Sequence, residues 1–250
     1  MTPAHAALVT GAGVLAGAIN AVAGGGTLVA FPALLGVGVG PLTANITCSV
    51  GLITGYAGGS VAYRRELAGQ RDRVRALLPF AVMGGLGGAV LLLVTPPSTF
   101  RAVVPYLVLL SAALLAVQPG LSRVLRNRQA TGSDVHWGAR VGVGAAAVYG
   151  SYFGAGLGVL LLAVLGILIA DGLQRLNALK GVLSLLINVV GAAIFVLSAR
   201  VDWGYALALA IGAYVGGTLG VSIARRLHPT AMRAAVVVLG IVVGIGLLVT

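Results

Sequence analysis

One apolar stretch in the second half of the chain carries four polar residues at helical spacing: Asn177, Lys180, Ser184 and Asn188. Their spacing places all four side chains on one face of an α-helix. Lys180 is the only lysine, and no carboxylate lies in that stretch to pair with it. Because an unpaired cation inside an apolar helix is costly, this face predicts contact with a small anion. The alternative is that the Lys180 stem snorkels toward water.

Glycine-rich segments in both halves are the second candidate for chemistry. The first contains Gly24, Gly25 and Gly26 followed by Thr27, and the second contains Gly154, Gly156 and Gly158. Glycines before a helix leave backbone N–H groups free to face a ligand, and the helix N-terminus adds partial positive charge. Thr27 is expected to cap its helix or to donate its hydroxyl to an anion oxygen. Close packing of helices through small residues is the alternative.

The remaining polar candidates are isolated. Asn45 is predicted either to contact the ligand or to bond between helices. Three further residues flank the glycine segments and are expected to line the same cavity or to lie at the membrane interface: Asn20, Tyr149 and Tyr152. The single cysteine, Cys48, excludes a disulfide framework and is interpreted as a packing residue. The histidines, His5, His136 and His228, have no metal-ligand spacing, so we expect no metal, cofactor or catalytic set.

The composition defines the elements that must position these residues. Of 250 residues, 59% are hydrophobic and only 8% are charged, whereas a soluble domain carries about 25% charged residues. Long stretches have no Lys, Arg, Asp or Glu, among them 1–63, 76–100, 141–170 and 203–224. A membrane-spanning helix needs about 20 apolar residues. The chain is therefore predicted to be an all-α polytopic membrane protein with eight to ten helical segments. Soluble enzymes and nucleic-acid binders are excluded.

Glycine and proline breaks divide the apolar sequence into predicted helices at 4–23, 27–38, 41–63, 76–95, 98–118, 138–153, 157–170, 172–198, 203–226 and 229–249. Two of them, 27–38 and 157–170, are too short to cross a bilayer. Irregular backbone at membrane depth is tolerated only where protein or a cavity covers it. These two segments are therefore predicted to be broken or re-entrant helices.

The net charge of +11 arises from basic loops, and their distribution predicts the topology. If each short segment, together with the helix before it, brings the chain back to the side of the membrane on which it started, thirteen arginines lie on the same side. Only Arg101 and Arg200 then lie opposite. If such a pair of segments instead crosses the membrane once, ten arginines lie on one side and five on the other. The positive-inside rule favours the first arrangement, which places both termini outside the cytoplasm and inverts the two halves.

An internal repeat supports this organisation. At an offset of 132 residues Asn45 falls on Asn177, Arg101 falls on Arg233, and the first glycine segment falls on the second. Residues 1–120 are interpreted as the first transmembrane repeat, 121–137 as a basic cytoplasmic linker and 138–250 as the second repeat. Inverted repeats with broken helices are a recurrent plan of transporters that bind substrate between the halves.

The segments NAVAGGGTLVAFPALLGVGVGPLTAN (20–45), YFGAGLGVLLLAVLG (152–166) and LQRLNALKGVLSLLINVV (173–190) resemble the two half-signatures of the sulfite exporter TauE/SafE family. The resemblance extends over about residues 8–249. It implies a permease of the bacterial inner membrane for small sulfur-containing anions, such as sulfite or organosulfonates, usually in the export direction. The sequence leaves open a homodimer.

The acidic residues bear on the energy source. All five, Glu66, Asp72, Asp134, Asp171 and Asp202, lie in or beside predicted loops, whereas a proton- or sodium-coupled carrier normally keeps a carboxylate in its pathway. An inside-negative potential favours outward movement of one negative charge by about 2.3 kcal/mol per 100 mV. We therefore expect a potential-driven anion permease. The alternatives are a membrane enzyme, for which no residue cluster is visible, and a structural or assembly subunit without transport activity, which would not need the polar face.

Overall fold

The computed structural model describes residues 2–22, 24–126, 135–198, 201–224 and 229–249. Within these ranges the chain forms eleven α-helices and no strand. The first six are α1 (Pro3–Val22), α2 (Thr27–Gly36), α3 (Pro41–Gly51), α4 (Ile53–Ala62), α5 (Arg71–Val94) and α6 (Pro97–Arg126). The others are α7 (Trp137–Tyr152), α8 (Leu157–Leu168), α9 (Leu173–Leu197), α10 (Trp203–Ala224) and α11 (Pro229–Val249). The all-α membrane fold is confirmed. Arg200, His228 and residues 127–134 of the predicted linker, which include Asp134, lie outside the described residues.

Four helices are long and apolar enough to cross a membrane: Pro3–Ala21 of α1, Arg71–Val94, Pro97–Val124 and Leu173–Leu197. The shorter apolar helices include α2 and α8, with 10 and 12 residues. At 1.5 Å per residue these two reach only about half of a hydrocarbon core of roughly 30 Å. Both are buried, α2 through Leu28, Phe31 and Leu34 and α8 through Leu161 and Leu165. The predicted short helices are therefore confirmed, and other helices cover them.

The predicted helix at 41–63 is interrupted at Leu52, which gives one element more than the upper expectation of ten. The interruption is mild, because the Leu52 φ and ψ of −80° and −5° remain close to helical values. The interruption lies where the chain around Leu52 contacts α10. The Thr54 hydroxyl donates to the Ala210 carbonyl over 2.7 Å, and a Cβ on Gly51 would lie 2.7 Å from the Leu209 Cβ. Close approach of this kind is typical of small residues in membrane helices.

The two halves exchange helices. The first helix, α1, packs along α10 of the other half, and α7, its counterpart in the repeat, packs along α5. Both pairs depend on glycines spaced four residues apart, Gly84 and Gly88 on α5 and Gly212 and Gly216 on α10. A Cβ on any of these four would collide with a backbone carbonyl of the facing helix. The helices α1 and α7, which correspond at an offset of 132 residues, thus pack through glycines in a similar way, and the sequence did not indicate which helices they would join.

Contacts between loops bear on the predicted topology. The Gln70 side chain donates to the Arg175 carbonyl over 2.9 Å, and the Arg175 guanidinium donates to the Ala68 carbonyl over 3.2 Å. Arg73 forms an ion pair with Asp171. The loop at 64–75 therefore lies on the same side as Arg175. The favoured arrangement requires this, whereas a single crossing by each helix and short-segment unit would separate them. Which side faces the cytoplasm stays a prediction.

Candidate functional site

Lys180 lies in the third turn of α9 and is buried, with 4% of its surface exposed. Its ammonium donates to the Asn177 side-chain oxygen over 3.2 Å. The ion pairs found among the described residues involve only Asp72 and Asp171, so the Lys180 ammonium has no carboxylate there. The structure thus buries the cation within the helix bundle, and the snorkelling alternative is not observed.

A small cavity of about 20 Å³ adjoins Lys180. It lies where α1 and α4 meet α9, and its polar lining comes from Asn20, Tyr56, Ser60, Tyr63, Asn177 and Lys180. No acidic residue lines it. A cavity of this volume holds about one water molecule. A sulfite or sulfonate group is too large for it in this conformation.

Two buried donor groups have no hydrogen-bond partner: the Asn20 amide nitrogen, whose residue lines this cavity, and the Ser184 hydroxyl, one turn beyond Lys180 on α9. The Gly26 N–H donates to the Asn20 side-chain oxygen over 2.7 Å, which fixes that atom as the acceptor. The Asn20 amide nitrogen is thereby left as the free donor. Asn188 donates to the Ser184 carbonyl over 2.8 Å. Unsatisfied buried donors cost about 1–3 kcal/mol each, so this cluster is best suited to an acceptor-rich ligand.

Three residues in α4 or directly after it line this cavity and were not among the predicted site residues: Tyr56, Ser60 and Tyr63. Tyr56 also lies beside the side chains of Asn20 and Asn188. Their spacing of four and three residues would have predicted a polar stripe on α4. Within α9, Lys180, Asn177, Ser184 and Asn188 do share one face, as their spacing predicted.

The two glycine segments meet at Gly24 and Gly158. A Cβ on either would lie 2.7 Å from the Cα of the other. Gly24 and Gly154 have left-handed backbone, with φ of 81° and 83°, which glycine adopts without strain. A Cβ on Gly25 would lie 3.2 Å from the Leu115 side chain. The segments are therefore filled by protein in this conformation, which is the close-packing alternative.

Part of the anion-binding arrangement is nonetheless present in the second segment. Gly156 has left-handed backbone and directly precedes α8. In the described chain the N–H groups of Gly154, Gly156 and Gly158 have no backbone acceptor. Thr27 is buried at the start of α2, whose N-terminus has no side-chain cap, so the expected capping role is not observed. The role of these residues toward a ligand stays a prediction.

Two hydroxyl groups hold the second glycine segment in place. The Tyr149 hydroxyl donates to the Ala155 carbonyl over 2.8 Å. The Ser111 hydroxyl lies 2.9 Å from the same carbonyl oxygen and 2.7 Å from the Tyr149 hydroxyl. Tyr149 is thus an anchor of this segment rather than an interfacial residue. Ser111 was missed by the sequence prediction, since a single serine in α6 carries no spacing signal.

Asn45 lies away from the Lys180 cavity and bonds between helices. Its side-chain nitrogen donates to the Tyr152 carbonyl over 2.9 Å, and its side-chain oxygen is buried without a partner. At the repeat offset this pair corresponds to Asn177 and Asn20. Cys48 is buried at the position equivalent to Lys180. These two sets of residues thus occupy equivalent positions, and in the described chain only the set with Lys180 contains a cation.

An ion cluster lies beside the start of α9, the end of that helix nearer to Lys180. Asp171 accepts from the Arg73 guanidinium and, over 2.9 Å, from the Arg175 side chain. It also accepts from the Gly172 N–H over 2.7 Å. Burial alone would raise the pKa of Asp171, but these three donors together hold it below its ordinary value. Within the described residues no group of His, Cys, Asp or Glu is placed to hold a metal ion.

Comparison with known proteins adds the following similarities. A family model described as Sulfite exporter TauE/SafE matches residues 9–247. The probable membrane transporter protein YfcA of Escherichia coli is 24% identical over 236 residues, 94% of this chain and 86% of that protein. The probable membrane transporter protein ORF9 of Sinorhizobium sp is 25% identical over 240 residues, 95% and 90% of the two chains. A probable membrane transporter protein of Haemophilus influenzae is 25% identical over 227 residues, 91% and 88%. No solved structure matches the chain.

Proposed function

Because the chain belongs to the TauE/SafE sulfite exporter family, we propose that it exports a small sulfur-containing anion, such as sulfite or an organosulfonate, across a bacterial inner membrane. The chain is a multi-pass α-helical protein of a membrane transporter family.

The observation that carries the proposal is the uncompensated ammonium of Lys180. It is buried, it has one neutral partner, and it lies beside the unpartnered donor of Asn20. Intramembrane charges are expensive and are normally paired. A sulfite or sulfonate group supplies both the missing negative charge and several acceptor oxygens. A structural subunit would have no reason to retain this cation.

The transport step follows from the small size of the cavity. Opening α4 away from α9 admits the anion to Lys180, Asn177 and Asn20. Closing that side and parting the other then releases it. The two glycine segments contact each other at Gly24 and Gly158, where the two halves meet. When these segments separate, the N–H groups that precede α8 become accessible to the anion. An inside-negative potential drives the cycle outward for a net negative charge.

Electrogenic transport in proteoliposomes tests this proposal. The purified protein is assayed with sulfite, sulfoacetate, thiosulfate and sulfate under an imposed potential, with protein-free liposomes as the blank. We expect charge movement with at least one of the first three anions and none with chloride alone. A protein that is monodisperse and folded, yet moves and binds none of them, would refute the substrate class. Thermal stabilisation by the same anions in detergent reports binding separately from transport.

A further inference from the structure

A second cavity, of about 480 Å³, opens beside the Lys180 cavity at the loop between α4 and α5. Its charged side chains are Arg64, Arg71 and Arg75, and all three are exposed to solvent. Its walls are apolar, formed by Leu67, Val74 and Val182. We call this cavity with its three arginines the arginine vestibule. Its volume suits a small organic anion with several water molecules.

The arginine vestibule adjoins the Lys180 cavity through two adjacent pairs of residues. Tyr63 and Gly181 line the Lys180 cavity, whereas Arg64 and Val182, the next residues along the chain, line the vestibule. The end of α4 and one turn of α9 therefore form the wall between them. A movement that separates these two elements joins the cavities.

The charges around the vestibule are predominantly positive. Asp171 is already neutralised by Arg73 and Arg175, outside the vestibule. Asp72 lies 3.7 Å from Arg75, but its side chain is 99% exposed and screened by water. No acidic residue lines the cavity. Clefts with one sign of charge and apolar walls focus the electric field and raise the local concentration of counter-ions.

We propose that the arginine vestibule captures the substrate anion from solution before it passes to Lys180, so that Arg64 and Arg71 govern affinity from this side of the membrane only. This inference rests on the proposed function. The bound group is a sulfonate or sulfite in solution, and a lipid phosphate presents similar chemistry. The experiment therefore has one part for each source.

Charge-selective labelling tests the vestibule without requiring transport. Ala68 is exposed and lines the vestibule, and the native Cys48 is buried, so Ala68→Cys gives one accessible thiol. It is labelled with methanethiosulfonates that carry either an ethylsulfonate or an ethyltrimethylammonium group. We expect the anionic reagent to be favoured. Replacing Arg64 and Arg71 together by Gln should lower the ratio of the two rates about tenfold at low salt, whereas Arg64→Lys with Arg71→Lys should preserve it.

A matched variant and a lipid comparison complete the design. Arg101→Gln removes an exposed arginine far from the vestibule and should leave the labelling ratio unchanged. Sulfoacetate should protect Ala68→Cys equally in phosphatidylcholine vesicles and in vesicles that also contain phosphatidylglycerol. Protection by phosphatidylglycerol alone would overturn capture of a soluble anion and assign the vestibule to lipid headgroups. A ratio unaffected by the double Gln substitution would overturn the inference outright.

Transport kinetics separate failure of this inference from failure of the proposed function. Arg64→Gln with Arg71→Gln should raise KM several-fold for anion added on the vestibule side and leave KM on the opposite side unchanged. If the KM of this double variant equals that of the native protein on each side of the membrane, the capture role is overturned and the transport function is not. A chain that transports no anion in the panel but keeps the labelling ratio would contradict the proposed function alone.

Discussion

Lys180→Gln is the substitution that most directly tests the binding site. The replacement removes the positive charge but keeps a donor able to reach Asn177, whose oxygen lies 3.2 Å from the ammonium. Two unit charges about 4 Å apart interact by about 4 kcal/mol at an effective dielectric constant of 20. A neutral hydrogen bond from Gln returns about 1 kcal/mol. The net loss of about 3 kcal/mol corresponds to a roughly hundredfold rise in KM or Kd.

The same substitution has an opposite expected effect on the empty protein. Because the buried ammonium has no carboxylate partner in the described chain, removing its charge relieves a desolvation cost. Lys180→Gln should therefore be at least as thermally stable as the native protein without anion, and should lose the stabilisation that anion gives. A structural lysine would behave in the reverse way.

Matched variants make this result interpretable. Cys48→Ala alters the equivalent buried position of the first half, which is uncharged, and should change neither KM nor anion-induced stabilisation. Lys180→Arg keeps the charge with a different shape, so KM should rise less than in Lys180→Gln. The measurements are proteoliposome uptake against anion concentration and melting temperature with and without anion. An unchanged KM in Lys180→Gln, or a large loss of stability without anion, would refute the assignment.

Three further predictions concern packing, pH and the glycine segment. Gly88→Ala places a Cβ against a carbonyl oxygen of α7, whereas the nearest atom to a Cβ on Gly87 is 4.0 Å away. Gly88→Ala should therefore lower the free energy of unfolding by about 1–3 kcal/mol, and Gly87→Ala should change it little. Melting temperatures in detergent measure both. The pKa of Asp171 is lowered in the folded protein, so its ion cluster contributes stability fully above about pH 4, the ordinary pKa of an aspartate. This contribution is lost as the pH falls through the lower pKa of the folded state. Asp171→Asn should therefore lower the melting temperature at pH 7 and converge with the native protein in acid; parallel pH profiles would contradict this. Tyr149→Phe removes a half-buried hydroxyl donor and should cost about 1 kcal/mol. Tyr106 is exposed, so Tyr106→Phe is the control and should have no effect. Equal melting temperatures of the two variants would count against the anchoring role.

Helix positions were largely predictable because the signals are local. Glycine and proline breaks at Gly24 and Pro41 limit the apolar runs, and the structure has helix ends within a few residues of them. The polar face of α9 was predictable for the same reason, since side-chain direction follows from spacing within one helix. Leu52 departed from this, because its interruption accompanies contact with a distant helix. Two other boundaries were also wrong, because helices continue through charged residues beyond the apolar runs: α5 begins at Arg71 rather than 76, and α6 ends at Arg126 rather than 118.

The partners of Lys180 were not predictable from spacing. Asn20 and Tyr56 lie on other helices, and which helices face α9 depends on packing across the two halves. The glycine triplet shows the same difficulty. A sequence states that Gly24 permits close approach, but only the fold reveals that the approaching group is the backbone of Gly158. The offset of 132 residues was the one long-range signal, and it does not indicate which helices pack together.

The exchange of helices between the halves also governs how the protein can be made. The partner of α1 is α10, which begins roughly 180 residues later in the chain. At about 5–20 residues per second, ribosomes need roughly 10 to 40 seconds to synthesise that interval. During that time the face of α1 that packs on α10 has only lipid, or whatever assists insertion, beside it. The packing of α1 therefore cannot be complete until α10 is inserted, so a chain that ends before α10 should need that helix supplied in the membrane to reach its folded state.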